Sequence, residues 1–169
     1  MKNLIKLVTA ALLAALTCVV TMTIAIPIPF ANGGYIHPGD GFVLLSGIIL
    51  GPIYGGFAAG IGSFFADLLS GYPQFAIATL VIKLLAAMTA AYSYRHIRER
   101  SVILAGIMGG IVVTVGYFVF ESFLYGSMGA AIVAVPFNLI QNIAGIIISY
   151  LLLPLLIKVP QIKAMMENK

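Results

Sequence analysis

Three ionisable side chains lie inside long apolar segments of this sequence, where charge is uncommon: Asp67, Lys83 and Glu121. A charge at the centre of a membrane helix costs about 2.5–3.5 kcal/mol on insertion scales, so such residues usually have a function. A carboxylate in an apolar pocket accepts hydrogen bonds from hydroxyl or ring N–H groups, and Glu121 has no second cation nearby in sequence to neutralise it. We therefore expect Glu121 to contact a ligand, with protonation on burial as the alternative. Asp67 and Lys83 either form an ion pair between helices or contact the ligand as well.

Amide and aromatic side chains accompany these charges at helical spacing. Asn138 and Asn142 are four residues apart and share a helix face, with Gln141 beside them. They indicate either ligand contacts or hydrogen bonds between helices. Tyr117 lies one turn before Glu121 on the same face, where it can stack on a flat ring. Together these groups predict a small pocket for a flat, polar, hydroxylated molecule.

The composition places these residues in a membrane. Hydrophobic residues make up 62% of the chain and charged residues 8%, and the mean hydropathy is +1.12. A soluble domain carries about 25% charged residues. We therefore predict one integral-membrane substrate-binding domain over residues 1–169. The chain's one cysteine excludes an internal disulfide.

The topology follows from the cations. Cytoplasmic loops carry the excess of Lys and Arg, and six spans place eight of the nine cations on one side, whereas five spans do not. Gly51-Pro52, with Gly55-Gly56, then forms a tight cytoplasmic turn. The prediction is an all-α protein with six transmembrane helices and both termini cytoplasmic. The apolar segments are 4–26, 42–50, 53–70, 74–94, 102–124 and 129–157, and the eight cations are Lys2, Lys6, Arg95, Arg98, Arg100, Lys158, Lys163 and Lys169.

The second segment is too short to cross a bilayer. Residues 42–50 cover about 14 Å, roughly half of the hydrocarbon thickness. The loop 27–41 must fill the rest, and irregular backbone at that depth is buried in protein or lines a cavity. We predict that this first outer loop is a lid over an outward-facing pocket. Its Tyr35, His37 and Asp40 are candidate ligand contacts, whereas Tyr72 and Tyr125, at the ends of spans, are interpreted as interfacial anchors.

The first segment contains two pairs of small residues at a spacing that lets helices approach closely. Ala10 and Ala14 form one pair, and Ala11 and Ala15 form the other. Either the helix faces lipid, or it docks onto another membrane subunit.

The sequence resembles the substrate-binding membrane subunits (S components) of energy-coupling factor (ECF) vitamin transporters. The resemblance covers nearly the whole chain and includes the alanine pairs, the first-loop stretch 34–40, Leu50-Gly51-Pro52 with Gly55-Gly56, and Ala66-Asp67-Leu68-Leu69. It implies high-affinity capture of a vitamin outside the cell and delivery through a complex with a transmembrane coupling (T) subunit and two cytoplasmic ATPases. It also implies that the alanines dock onto the T subunit and that the protein lies in the bacterial cytoplasmic membrane.

Within that family the sequence is most similar to the subgroup for small ring alcohols, hydroxymethylpyrimidine and pyridoxine. The resemblance implies a transport subunit rather than an enzyme, with no cofactor. The sequence contains no Gly-Lys dipeptide, so it has no phosphate-binding loop with which to hydrolyse ATP. A carboxylated vitamin would need an arginine, and none lies within a predicted span.

Two other functions, a stand-alone carrier and an intramembrane enzyme, are alternatives to substrate capture by an S component. A stand-alone proton- or ion-coupled carrier would use Asp67, Lys83 and Glu121 as a relay, but the inner halves of the spans are apolar. An intramembrane enzyme would need a catalytic constellation that is not visible in the sequence. His37 and His96 are assigned to opposite membrane faces, which excludes a metal site shared between them.

Overall fold

The chain folds into a bundle of apolar helices. The computed structural model describes residues 2–28, 34–96 and 100–167, without the side chain of Lys2. In chain order the elements are α1 (Lys2–Thr23), β1 (Ile26–Pro27), β2 (Tyr35–Ile36), α2 (Asp40–Leu50), α3 (Pro52–Leu69), α4 (Pro73–His96), α5 (Val102–Leu124), α6 (Met128–Ile132), α7 (Val135–Leu156) and α8 (Pro160–Glu167).

Within the described residues, five helical stretches are long and apolar enough to cross a membrane: α1, α3, α4, α5, and α6 together with α7. The predicted all-α membrane fold is confirmed, and each predicted apolar segment corresponds to a helix. The count of six spans and the cytoplasmic position of both termini stay predictions. Two of the eight cations on which that topology rests, Arg98 and Lys169, lie outside the described residues.

The short helix α2 lies at the centre of the bundle. Ten of its eleven residues are buried, and Leu45, Ile48 and Ile49 form the middle of the main hydrophobic core. At 1.5 Å per residue, α2 is about 16 Å long. Met165 of α8, a helix that the sequence did not predict, packs on the same core. Because the neighbouring helices are longer than α2, they leave space above its amino end, where the first loop lies.

The predicted turn at Gly51-Pro52 is confirmed. Gly51 has φ 89°, a conformation that favours glycine, and Pro52 is the first residue of α3, where a missing backbone N–H costs little. The prediction was wrong for Gly55 and Gly56, which lie inside α3. Gly55 instead allows close packing, because a Cβ there would lie 2.3 Å from the carbonyl oxygen of Ser46.

The helix α1 packs against α3 through a similar close approach. A Cβ on Gly62 would lie 2.4 Å from the carbonyl oxygen of Ala14. Most of α1 nevertheless faces outward, since 17% of its spanning window is buried.

The first loop contains a short antiparallel pairing that was not predicted. Ile26 pairs with Ile36 and Pro27 with Tyr35. Residues 29–33, part of the predicted lid, lie outside the described residues. Asp40, assigned to the loop from the sequence, is the first residue of α2.

Candidate functional site

One cavity brings together most of the predicted site residues. It lies at the end of the bundle opposite Gly51, where α3 and α5 end, α4 and α7 begin, and the first loop crosses over. The free space that it encloses is about 40 Å³. Its wall consists of Ile28, Gly34, Tyr35, His37, Asp67, Phe75, Thr79, Tyr117, Glu121, Ala134, Asn138 and Gln141.

Asp67 presents a carboxylate to this cavity that is only half satisfied. The Tyr35 hydroxyl donates a hydrogen bond to Oδ1 at 2.7 Å. Oδ2 is buried and has no hydrogen-bond partner among the residues that the structure describes. Burial and the neighbouring Asp67 raise the pKa of Tyr35, so this hydroxyl keeps its proton and acts as a donor. Asp67 Oδ2 can accept a hydrogen bond from a ligand or, after a small shift, from the hydroxyl of Thr79 in the same wall.

Glu121 supplies a second carboxylate to the same wall. Its side chain is 5% exposed, and Oε2 is buried without a hydrogen-bond partner in the described part of the chain. Buried polar atoms are nearly always hydrogen-bonded, so this oxygen can accept from a donor group that enters the cavity. The cavity wall as described contains no Lys or Arg. Its polar groups thus suit hydrogen-bond donors and disfavour anions.

Aromatic rings form the apolar part of the site. Phe75 and Tyr117 belong to one buried cluster beside the cavity, and the Tyr117 hydroxyl shares a hydrogen bond of 2.9 Å with Thr79. Tyr35 packs on Tyr72 with ring centroids 4.7 Å apart and an interplanar angle of 33°. Tyr72 therefore supports a ring of the wall, a role beyond the interfacial anchoring that its position in the sequence indicated.

Lys83 forms an ion pair, but its partner is Asp40. Lys83 Nζ lies 2.5 Å from Asp40 Oδ1, and both side chains are almost completely buried. The predicted alternative of an Asp67–Lys83 pair was wrong, because Asp67 bonds to Tyr35 and the start of α2 brings a different carboxylate to α4. Neither Lys83 nor Asp40 is part of the cavity wall. The structure places this pair directly behind the site.

Gln141 connects that ion pair to the first loop. Its Nε2 donates to Asp40 Oδ2 at 2.9 Å, and its Oε1 accepts from the backbone N–H of His37 at 3.1 Å. The His37 ring lies within 3.3 Å of the Thr21 hydroxyl. Burial lowers the pKa of His37 to about 4, outweighing the opposing effect of Asp40. His37 is therefore neutral near pH 7, and the loop is fixed to the core by hydrogen bonds rather than by its own charge.

Asn142 faces a different part of the bundle. Its Nδ2 donates to the Gly110 carbonyl and to the Thr114 hydroxyl, both at 2.9 Å. Asn142 therefore forms hydrogen bonds between helices, which is one of the two alternatives that the sequence left open. Asn138, by contrast, lines the cavity.

Of the ten predicted ligand contacts, seven line the cavity and three do not. Asp40, Lys83 and Asn142 are the three that lie behind it. The wall also contains Thr79, which sequence reasoning missed although it precedes Lys83 by four residues and so shares its helix face. Phe75, one further turn before Thr79, is an aromatic residue that the sequence places at the same depth, but it was not among the ten predicted contacts. The other missed wall residues, Ile28, Gly34 and Ala134, carry no polar side chain that could have marked them.

The two alanine pairs of α1 differ in their surroundings. Ala10 and Ala14 are half-buried and pack on the main core. Ala11 and Ala15 are exposed on the outer face. The two pairs therefore separate into an internal face and a free face.

Several known proteins are similar to this chain. A family model described as the S component of ECF-type riboflavin transporters matches residues 1–158. A Pyrococcus woesei protein, described as an uncharacterized protein in a gap 3′ region, is 42% identical over 132 residues, covering 77% of this chain and 86% of the relative. The thiamine precursor transporter HmpT of Lactococcus lactis subsp. cremoris is 27% identical over 155 residues, covering 92% of this chain and 89% of HmpT. A solved structure of the S component of a bacterial ECF transporter has a TM-score of 0.73 at 27% identity, covering 94% of this chain and 98% of that one.

Proposed function

The chain belongs to the family of S components of ECF-type riboflavin transporters, and from that premise we propose that it captures hydroxymethylpyrimidine or a closely similar single-ring alcohol. As a member of this family it is a transport subunit of the cytoplasmic membrane and not an enzyme. The substrate within the vitamin class is the part that we infer from the site.

This proposal rests on two buried carboxylate oxygens that have no hydrogen-bond partner among the described residues. Asp67 Oδ2 and Glu121 Oε2 are buried in one wall and need donors. Hydroxymethylpyrimidine offers two kinds of donor, an exocyclic amine and a hydroxymethyl group, on a flat ring that suits Phe75 and Tyr117. The amide of Asn138, in the same wall, can serve a ring nitrogen. The similarity to HmpT supports the same class of ligand.

The size of the cavity favours one ring over three. The enclosed free space is about 40 Å³, so even a pyrimidine must displace side chains to enter. Riboflavin, with three fused rings and a ribityl chain, would require a much larger displacement of the first loop and of Tyr35. Riboflavin is nevertheless the second candidate, because the family model is described by that vitamin. Pyridoxine, a single-ring alcohol without an exocyclic amine, tests the importance of that group.

The free face of α1 supports the proposed assembly. We assign Ala11 and Ala15 to the contact with a T subunit that is carried by two ATPases, because they are small, exposed and outside the internal packing. A stand-alone proton- or ion-coupled carrier remains the alternative. Against it, Lys83 and Asp40 satisfy each other in the core, and the described part of the chain places no other cation in the wall beside Asp67.

Isothermal titration of the detergent-purified chain tests the proposal. We expect one-to-one binding of hydroxymethylpyrimidine, with weaker binding of pyridoxine and weaker still of riboflavin. Glu121→Gln should weaken binding about 10–100-fold, because a hydrogen bond to a charged group contributes about 1.5–3 kcal/mol.

Glu167→Gln is the matched control, since Glu167 is an exposed carboxylate on α8 whose nearest cation is Lys163 at 3.8 Å. This variant should bind like the wild type. Tighter binding of riboflavin than of either single ring would overturn the substrate assignment and leave the family assignment intact. Equal losses in the two variants would show that Glu121 does not contact the ligand.

A further inference from the structure

A second cavity lies at the opposite end of the bundle from the vitamin site. Its free space is about 330 Å³, and it is lined by Ile48, Tyr94, Arg95, His96, Arg100 and Met166. These residues come from the final turns of α2 and α4, from the segment that leads into α5, and from α8. The cavity is thus at the level where three membrane helices begin or end.

Cationic groups dominate the polar part of this cavity. Arg95 and Arg100 both line it, and no Asp or Glu is among its described lining residues. Arg95 Nη2 is buried and has no hydrogen-bond partner within the described ranges. A buried guanidinium N–H without an acceptor is costly, so an anion that enters the cavity can supply the acceptor that Nη2 lacks.

Two neighbouring groups of this cavity are held in defined conformations. His96 stacks on Tyr92 at 4.0 Å, and its Nδ1 bonds to the Tyr92 carbonyl at 2.9 Å, which fixes the ring. Arg100 is the one described residue other than glycine with positive φ, at 46°. A non-glycine residue in that region costs of order 1–3 kcal/mol and is concentrated at functional sites.

We propose that this cavity binds an anionic phosphate group, with a guanidinium from each of Arg95 and Arg100 as the main contacts. Guanidinium groups match phosphate oxygens in a bidentate manner, whereas a lysine offers only a point charge. Ile48 and Met166 supply an apolar side to the same cavity, which suits a phosphate that carries an acyl or isoprenoid chain. The phosphate comes either from a membrane lipid headgroup or from free phosphate in solution.

Native mass spectrometry of the full chain, released from vesicles of equal parts phosphatidylglycerol and phosphatidylcholine, tests the proposal. We expect retention of phosphatidylglycerol over phosphatidylcholine, and about tenfold less retention in Arg95→Gln, because a charge-assisted hydrogen bond is lost. Arg95→Lys should restore only part of the retention. Lys158→Gln, which removes an exposed cation outside the cavity, is the matched control and should retain lipid like the wild type.

The possible outcomes distinguish a lipid headgroup from free phosphate, and both of these from the absence of an anion site. Preferential retention that depends on Arg95 identifies a lipid headgroup. No lipid preference, together with an Arg95-dependent rise in melting temperature with inorganic phosphate, identifies free phosphate and upholds the anion site. Neither effect, or an equal loss in Lys158→Gln, would overturn the proposal and leave the arginines as charges that only set topology. If Arg95→Gln does not elute as a single species in gel filtration, Arg100→Gln, an exposed position, carries the same test.

Discussion

At the scale of single residues, four charges buried at one end of the bundle have divided roles. Asp40 and Lys83 satisfy each other and hold helices together, whereas Asp67 and Glu121 each keep one buried oxygen without a partner. The first pair explains why an expensive lysine is tolerated in the core, because an ion pair with further hydrogen bonds offsets the cost of burial. The second pair gives the site its preference for donors.

Removing one member of the buried ion pair should damage the fold more than the ligand contacts. Lys83→Met leaves Asp40 buried and uncompensated, which should lower the free energy of unfolding by about 3–5 kcal/mol. The double variant Lys83→Met/Asp40→Asn should recover most of that loss. Unfolding in a denaturing detergent titration measures both. Equal stability of the single and double variants would contradict the pairing.

His37 should make stability depend on mildly acidic pH. Its pKa is lowered to about 4 in the folded protein, against about 6.5 in an unfolded chain. The unfolded state therefore binds more protons between these values, so this contribution to stability is complete above about pH 6.5 and falls as pH drops toward 4. His37→Asn should flatten that part of the curve, as measured by melting temperature from pH 4 to 8. An unchanged slope would show that His37 is not protected from protonation.

Much of the site could be predicted because ionisable and amide residues are rare in membrane segments, so each one that occurs there is a candidate for a functional site. Glu121, Asn138 and Asp67 were found in this way. The partner of Lys83 was not found, because Asp67 is 16 residues away in sequence and Asp40 is 43. Only the position of α2 inside the bundle brings Asp40 to α4. Which side chains pair across helices depends on the tertiary packing, and this cannot be read from each apolar segment taken separately.

At the scale of elements, the short helix α2 determines where the site can form. Hydropathy located all six main helices, because a long apolar segment in a membrane must satisfy its backbone hydrogen bonds internally and so forms a helix. The pairing of β1 with β2 had no such signal, because two-residue strands show no alternation. The amphipathic α8 was missed because its eight residues follow the last apolar run and include polar side chains.

The contact between α1 and α3 should be sensitive to one methyl group. Gly62→Ala would place its Cβ 2.4 Å from the Ala14 carbonyl, so α1 must move outward, at a cost of about 1–3 kcal/mol. Gly129→Ala is the control, because its Cβ meets only ordinary contact distances, with the Ser127 hydroxyl at 3.6 Å. Melting temperature should fall in the first variant and hold or rise in the second. Similar values for both would show that α1 is not packed closely at Gly62.

At the scale of the whole molecule, the two ends of the bundle have opposite chemistry. One end carries carboxylates around a small cavity, and the other carries arginines around a larger one. The apolar core around α2 lies between the two cavities. It would thus keep the proposed vitamin and the proposed phosphate apart.

The exposed alanines of α1 should matter for transport and not for binding. Ala11→Trp with Ala15→Trp adds bulk to a free face, so vitamin affinity should stay within about twofold, while ATP-driven uptake in vesicles with the T subunit and ATPases should fall at least about tenfold. Ala10→Trp with Ala14→Trp, on the internal face, should instead destabilise the fold. Uptake that survives the first pair of substitutions would place the docking face elsewhere.

The most direct test of the central claim is to identify the small molecule that copurifies with the chain. Native mass spectrometry on protein purified without ATP or an ion gradient should detect one hydroxymethylpyrimidine, or a close single-ring relative, per chain in the wild type and in Glu167→Gln, and none in Glu121→Gln. A chain that retains no vitamin, yet alone takes up substrate into vesicles in response to a proton gradient, would contradict capture by an S component and establish the carrier.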